Sequence, residues 1–237
     1  MPRPRKSTAR DRSLAQAPAP AVGTSLRQLL RRQQQAPPGE LAPRDDLLLQ
    51  FRIELLEIDP PVWRRIVIPD GTLEDLHFHI QGAFGWDDCH LHVFEIENQT
   101  YGPVLEDGRP VDEEMEDDEI NVLVSEFLPP PTKNGKVRRK FRFRYVYDFG
   151  DEWGHELLFE GYPQRIPRRK YPLCVDGARA CPPEDIGGPW RYYDLLDALN
   201  DPDHEWRDLV EALRFDPEKF DAAKATRAMR RFARDGE

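Results

Sequence analysis

The sequence predicts an α+β fold: a mixed or antiparallel sheet with a helix packed across it, followed by a C-terminal helical segment. Three observations lead there. Between residues 47 and 96 the apolar pattern switches from strand to strand to helix to strand. Between residues 140 and 148, Phe141, Phe143, Tyr145 and Tyr147 alternate with Lys140, Arg142 and Arg144, the period of a strand with one buried face. After residue 190 the apolar residues fall at helical spacing.

Residues 47–58 form the first strand, closed by Pro60-Pro61, and residues 62–68 the second, ended by the turn residues Pro69-Asp70-Gly71. Thr72 then caps a helix, with Asp75 three residues on. Leu73, Leu76, Ile80, Ala83 and Phe84 give that helix one apolar face, and Gly85 stops it. Residues 90–96 are a third strand, continued as a hairpin through 99–101. Residues 106–119 hold nine acidic residues and a single Arg, so they read as a solvated loop or a weak acidic helix. Ile120, Val122 and Val124 alternate as a short strand. The strand 140–148 takes 155–162 as its hairpin partner. Residues 163–189, rich in Pro, Gly and Ala, predict a long ordered loop, a length that is often functional. Helices follow over 190–199 and 204–214, and a third runs from a cap at Asp216-Pro217 to about residue 234.

Charge divides the chain in two. Its 237 residues carry 34 Lys and Arg against 44 Asp and Glu, a net charge of −10 that argues against a general nucleic-acid coat protein. Residues 1–44 nevertheless hold nine basic and two acidic residues among Ala, Pro and Gln runs, with too little apolar surface to offset chain entropy. They predict a disordered basic tail, either a solubilising leader or an arm for nucleic acid or a membrane surface. Residues 45–237 form a single domain, with 25 basic and 42 acidic residues. Deleting residues 1–44 is therefore expected to leave the melting temperature of the domain almost unchanged, and a large drop on calorimetry would show that the tail docks. No apolar run approaches the roughly 18 residues of a membrane helix, and no apolar stretch follows the basic start, so neither membrane insertion nor secretion is expected. Three Cys fit free thiols in a reducing cytoplasm.

Two groups of residues carry candidate chemistry. His90 and His92 are two apart on an expected strand, so both imidazoles point to one side, a recurrent start of a metal site. Asp148, Asp151 and His155 sit at a strand end and turn, where polar side chains converge; with the histidines they could bind a divalent ion such as zinc and activate water. The competing reading makes the aspartates turn-formers around Gly150 and the histidines satisfied core or rim residues. In the long loop, Cys174 and Cys181 are too far apart for a tight knuckle, and zinc would need further ligands from His155, His204, Glu184 or Asp185. The competing reading makes them buried or half-buried thiols in a turn-rich loop. The Lys140, Arg142 and Arg144 row is a phosphate site or a solvated strand face.

Several words of the sequence are long enough to be specific: Pro60-Pro-Val-Trp-Arg-Arg65, Gly85-Trp-Asp-Asp-Cys-His-Leu-His-Val-Phe94, Tyr147-Asp-Phe-Gly-Asp-Glu-Trp-Gly-His155, Cys181-Pro-Pro-Glu-Asp-Ile-Gly-Gly188 and Asp201-Pro-Asp-His204. In this order, over about residues 46–221, they resemble the plasmid pRiA4b ORF-3-like family, some of whose members are insertion-element passenger proteins with a resolvase-type label. The resemblance implies an α+β fold with a grasp-like or roll sheet, and it assigns no biochemical function. The resolvase activity is not expected here, because the chain shows no nucleophilic Ser supported by an arginine cluster and the domain's charge opposes the phosphate backbone.

Two functions follow. The first is a non-catalytic binding or adaptor protein associated with mobile elements, its partner a protein, with nucleic acid reached only through the basic tail. The second is a metal-dependent hydrolase or phosphoryl-transfer enzyme built on His90, His92, Asp148, Asp151 and His155, with no complete catalytic signature to fix the roles. The two separate on whether those five side chains share one face of the folded domain.

Overall fold

A computed structural model describes residues 47–105, 109–111, 117–132 and 135–235. The basic tail and most of the acidic segment lie outside the described residues. The strands are β1 (Leu48–Leu55), β2 (Trp63–Pro69), β3 (His92–Ile96), β4 (Gln99–Gly102), β5 (Asp117–Asp118), β6 (Lys136–Tyr147), β7 (Trp153–Gly161) and β8 (Leu173–Ala178). The helices are α1 (Leu73–Phe84), α2 (Gly188–Asn200), α3 (Arg207–Leu213) and α4 (Ala222–Asp235). One sheet holds all eight strands in the order β5-β4-β3-β6-β7-β1-β2-β8, antiparallel throughout except for the β4–β5 pair. The fold is α+β with a mixed sheet, as the sequence predicts.

Alternation gives that sheet one main apolar face, with Leu48, Val67 and Leu173 forming a small cluster on the other. Phe51, Ile53 and Leu55 of β1 face the same layer as Leu157 and Phe159 of β7, Phe143, Tyr145 and Tyr147 of β6, and Phe94 of β3. Arg142 and Arg144 face solvent and pair with Glu156 and Glu95, so the basic row of β6 is a solvated face balanced by the neighbouring strands. α1 starts where the sequence places it. Asp75 N–H donates to Thr72 Oγ1 at 3.1 Å and Thr72 N–H to Asp75 Oδ2 at 2.8 Å, a reciprocal cap. Gly85 ends the helix at φ 91°, where a side chain would be strained. α4 packs on α1 so closely that a Cβ on Gly82 would lie 2.5 Å from the Met229 backbone.

Three expected elements differ. Residues 163–189 are not all loop: β8 pairs with β2 and forms one edge of the sheet. The strand begins directly after Pro172, so the missing proline N–H removes no ladder bond. Ile120, Val122 and Val124 do not form a strand; residues 120–121 turn, Leu123 makes an isolated antiparallel bridge to Thr72, and Val124–Glu126 is a 3₁₀ turn, held where Val124 N–H donates to Gly71 O. α4 begins at Ala222, because Asp221 Oδ1 accepts from Ala223 and Lys224 N–H, whereas Asp216 Oδ1 only closes a turn onto Glu218 N–H.

Candidate functional site

The polar residues gather where β3 begins, β6 ends and the 85–91 loop leaves α1. Trp86 anchors that loop: it is buried, stacks on Tyr147 at 5.1 Å, and donates its indole N–H to Pro182 O at 3.1 Å. This last bond draws the proline-rich segment over the same end of the sheet. Asp87 N–H donates to Glu184 Oε2 at 3.2 Å, and Gly187 N–H to Asp151 Oδ2 at 2.9 Å, fixing the segment further.

An outer cluster results. His90 Nε2 lies 2.7 Å from Asp185 Oδ1 and 3.5 Å from Asp148 Oδ2. Tyr147 O–H donates to Glu184 Oε1 at 2.6 Å and accepts from Cys89 N–H at 3.1 Å, while Cys89 Sγ stands 3.4 Å from Glu184 Oε1. Burial works against a charge on His90, but the Asp185 hydrogen bond and the Asp148 and Asp185 charges outweigh it and raise its pKa. Burial, then the Glu184 bond, pushes the Tyr147 phenol well up, so it stays protonated and donates. Asp148 Oδ1 is already occupied, accepting from Gly150 and Asp151 N–H.

Behind it lies an inner cluster built from α1. The His77 and His92 rings stack with centroids 3.5 Å apart and planes within 5°. His92 Nε2 meets Glu119 Oε2 at 2.8 Å. The bonds around His77 fix its tautomer. Asp88 N–H donates to Gln81 Oε1, so the Gln81 amide N–H₂ faces Tyr145 and donates to its oxygen. Asp88 Oδ1 only accepts, so the one N–H of the neutral His77 ring is on Nε2, and Nδ1, 2.8 Å from the Tyr145 oxygen, receives the phenol proton. His77 Nε2–H then donates to Asp88 Oδ1 at 2.7 Å, closing a ring of four residues. Desolvation lowers the His77 pKa in agreement with a neutral imidazole, although Asp88 opposes it.

The expected site residues therefore separate. His90, Asp148, Asp185 and Glu184 come together at the rim. His92 is 5% exposed and belongs to the inner cluster, because β3 starts at residue 92 and His90 precedes it. Asp151 serves the loop through Gly187. His155 is a core residue: β7 starts at Trp153, which turns residue 155 inward against Phe84 and Trp86, and neither ring nitrogen has a hydrogen-bond partner among the described residues. Burial pushes its pKa down to about 3. Cys174 lies on β8 and Cys181 beside Arg64; neither joins the histidines in a ligand-sized group. His77, Asp88, Glu119 and Tyr147 are the functional-looking residues that the sequence reading missed. His77 had a signal, since it stands four residues after Leu73 and three before Ile80, on the apolar face.

Fold and site together define an α+β protein with a mixed sheet and a carboxylate–imidazole cluster at one end. The chain belongs to the plasmid pRiA4b ORF-3-like protein family, whose model matches residues 48–224. It is similar to the uncharacterized protein y4hQ of Sinorhizobium fredii (strain NBRC 101917 / NGR234), with 33% identity over 159 residues that cover 67% of this chain and 76% of the relative. A crystal structure of similar fold is that of MM3350, a protein of unknown function from Methanosarcina mazei Go1. Its TM-score is 0.63 at 33% identity, covering 75% of this chain and 96% of that one. Among the described residues no helix is long and apolar enough to cross a membrane.

Proposed function

We propose that this protein is a non-catalytic binding protein. The observation that carries the reading is the closed ring Asp88–Gln81–Tyr145–His77, in which each donor is spent on the next acceptor. A general base needs a free lone pair aimed at a substrate proton, and here the His77 lone pair already holds the Tyr145 proton. The stacked pair is unsuited to a metal for a related reason: ring lone pairs lie in the ring planes, so two parallel imidazoles do not converge on one ion. A link to mobile elements rests on family resemblance alone. A protein partner has support in Trp190, which is 82% exposed on α2.

A second reading has its own support at the rim, where one atom each of His90, Asp148 and Asp185 lies within 4.8 Å of the others. A divalent ion there would take the place of the His90 proton, so binding should strengthen as pH rises. Titration calorimetry with zinc or manganese separates the readings. The binding reading expects no saturable uptake that His90→Ala abolishes, and no phosphoester or peptide hydrolysis in the presence of either ion. Turnover lost in His90→Ala would replace it with the metal-dependent hydrolase.

A further inference from the structure

β2 carries an arginine on its core face. Arg64 alternates with Ile66 and Ile68, is 3% exposed, and lies across from Ile53 of β1. Three of its N–H groups are held by backbone: Nε donates to Ala83 O at 3.0 Å, and Nη1 to Trp63 O at 2.8 Å and Ala178 O at 2.9 Å. A guanidinium has five such donors, and the two on Nη2 meet no protein acceptor among the described residues. No carboxylate among the described residues pairs with it. The nearby thiols do not compensate either, because burial raises Cys174 to about 11 and Cys181 further, leaving both neutral. A buried guanidinium without a counter-ion is costly, and a core position filled this way signals a purpose other than packing.

Arg64 lines a cleft of about 440 Å³ between the end of α1, the Ala180–Glu184 stretch and the start of α4. Phe84, Trp86, Phe215 and Phe220 form apolar walls, and the guanidinium lies over the Phe220 ring at 4.4 Å and the Phe84 ring at 5.1 Å. Lys219, Lys224 and Arg214 stand at the mouth. The acidic residues of the lining are engaged: Glu184 accepts from Tyr147 and Asp87, Asp216 from Glu218 N–H, and Asp221 from Ala223 and Lys224 N–H. We propose that this cleft binds a small organic anion, with its phosphate or carboxylate on Arg64 Nη2 and an apolar ring against the aromatic walls. The inference rests on the binding reading and names its ligand class. Such a ligand supplies the missing counter-charge, and the mouth lysines draw it in.

Phenyl phosphate, benzoate, inorganic phosphate and phenol are the probes, titrated into the full chain by calorimetry and by NMR of the arginine side-chain N–H signals. Phenyl phosphate or benzoate should bind with Kd below about 1 mM, about tenfold or more tighter than phenol, and shift the Arg64 signals. Stronger binding by phenyl phosphate identifies a phosphate ligand; stronger binding by benzoate, a carboxylate. Lys219→Ala/Lys224→Ala, on exposed positions, should weaken binding about threefold or more, and Arg64→Met should abolish it. Because Arg64→Met also removes three backbone bonds that hold the fold, the lysine variant and the Arg64 signals carry the test. No saturable binding up to about 10 mM, equal affinity for phenol, or tightest binding by inorganic phosphate would overturn the site. Release of phenol from phenyl phosphate would overturn the non-catalytic reading while leaving the site standing.

Discussion

Replacing Phe143 by Ala is expected to lower the unfolding free energy by about 3–5 kcal/mol, whereas Arg142→Ala on the adjacent residue should cost no more than about 1 kcal/mol. Phe143 is 6% exposed and meets Phe51 edge-on at 5.9 Å, with Phe94 at 6.4 Å on its other side. It therefore joins β1 to β3 through β6, and truncation leaves a cavity bounded by rings that cannot collapse into it. Arg142 extends into solvent, where its pair with Glu156 is screened. Urea denaturation of both variants gives the comparison. A larger loss for Arg142→Ala would mean that β6 runs one residue out of register, since a single slip exchanges its faces.

β6 and α1 were legible because their periodicity is local. Four aromatic residues at period two and a Thr-to-Asp cap admit few alternatives. β8 was not, since prolines surround it and, among the described residues, its one strand partner is β2, more than a hundred residues earlier. The site shows the same division. His90 and His92 are two apart in sequence, yet Asp148 N–H donates to Leu91 O just before β3 begins, and the two rings enter different clusters. Glu119 sits in an acidic run that reads as solvated. Its burial follows from the pairing of β5 with β4, which brings Glu119 N–H to Gly102 O and the carboxylate to His92. Nothing within the run announces that long-range contact. His155 differs by two residues of strand boundary: β7 reaches back to Trp153, so the histidine lies within the strand rather than at its turn, in the buried row Trp153, His155, Leu157, Phe159.

That placement leads to an expected loss of stability in mild acid. Burial lowers the folded-state pKa of His155 to about 3 and that of His79 to about 4, from 6.5 for either ring in the unfolded chain. Both are neutral in the fold, so below pH 6.5 the unfolded state takes up protons that the fold refuses. Stability is then full above pH 6.5 and falls as pH drops toward the folded values, at up to about 1.4 kcal/mol per pH unit for each ring. Between pH 6.5 and 5 this amounts to about 2 kcal/mol per ring. His77, lowered in the same direction, adds to the slope. His90 opposes it: its raised pKa stabilises the fold below the unfolded value and is lost as pH rises through the folded one, but the ring is 31% exposed and contributes little. Urea midpoints measured from pH 7 to 5 should therefore fall steadily, in a window above the range where most carboxylates titrate. His155→Leu, close in volume and without a proton to exclude, should keep the fold and flatten the slope by the share of one ring. A midpoint constant from pH 7 to 5, or an unchanged slope in His155→Leu, would mean that water or a polar partner reaches the ring and that β7 does not bury it.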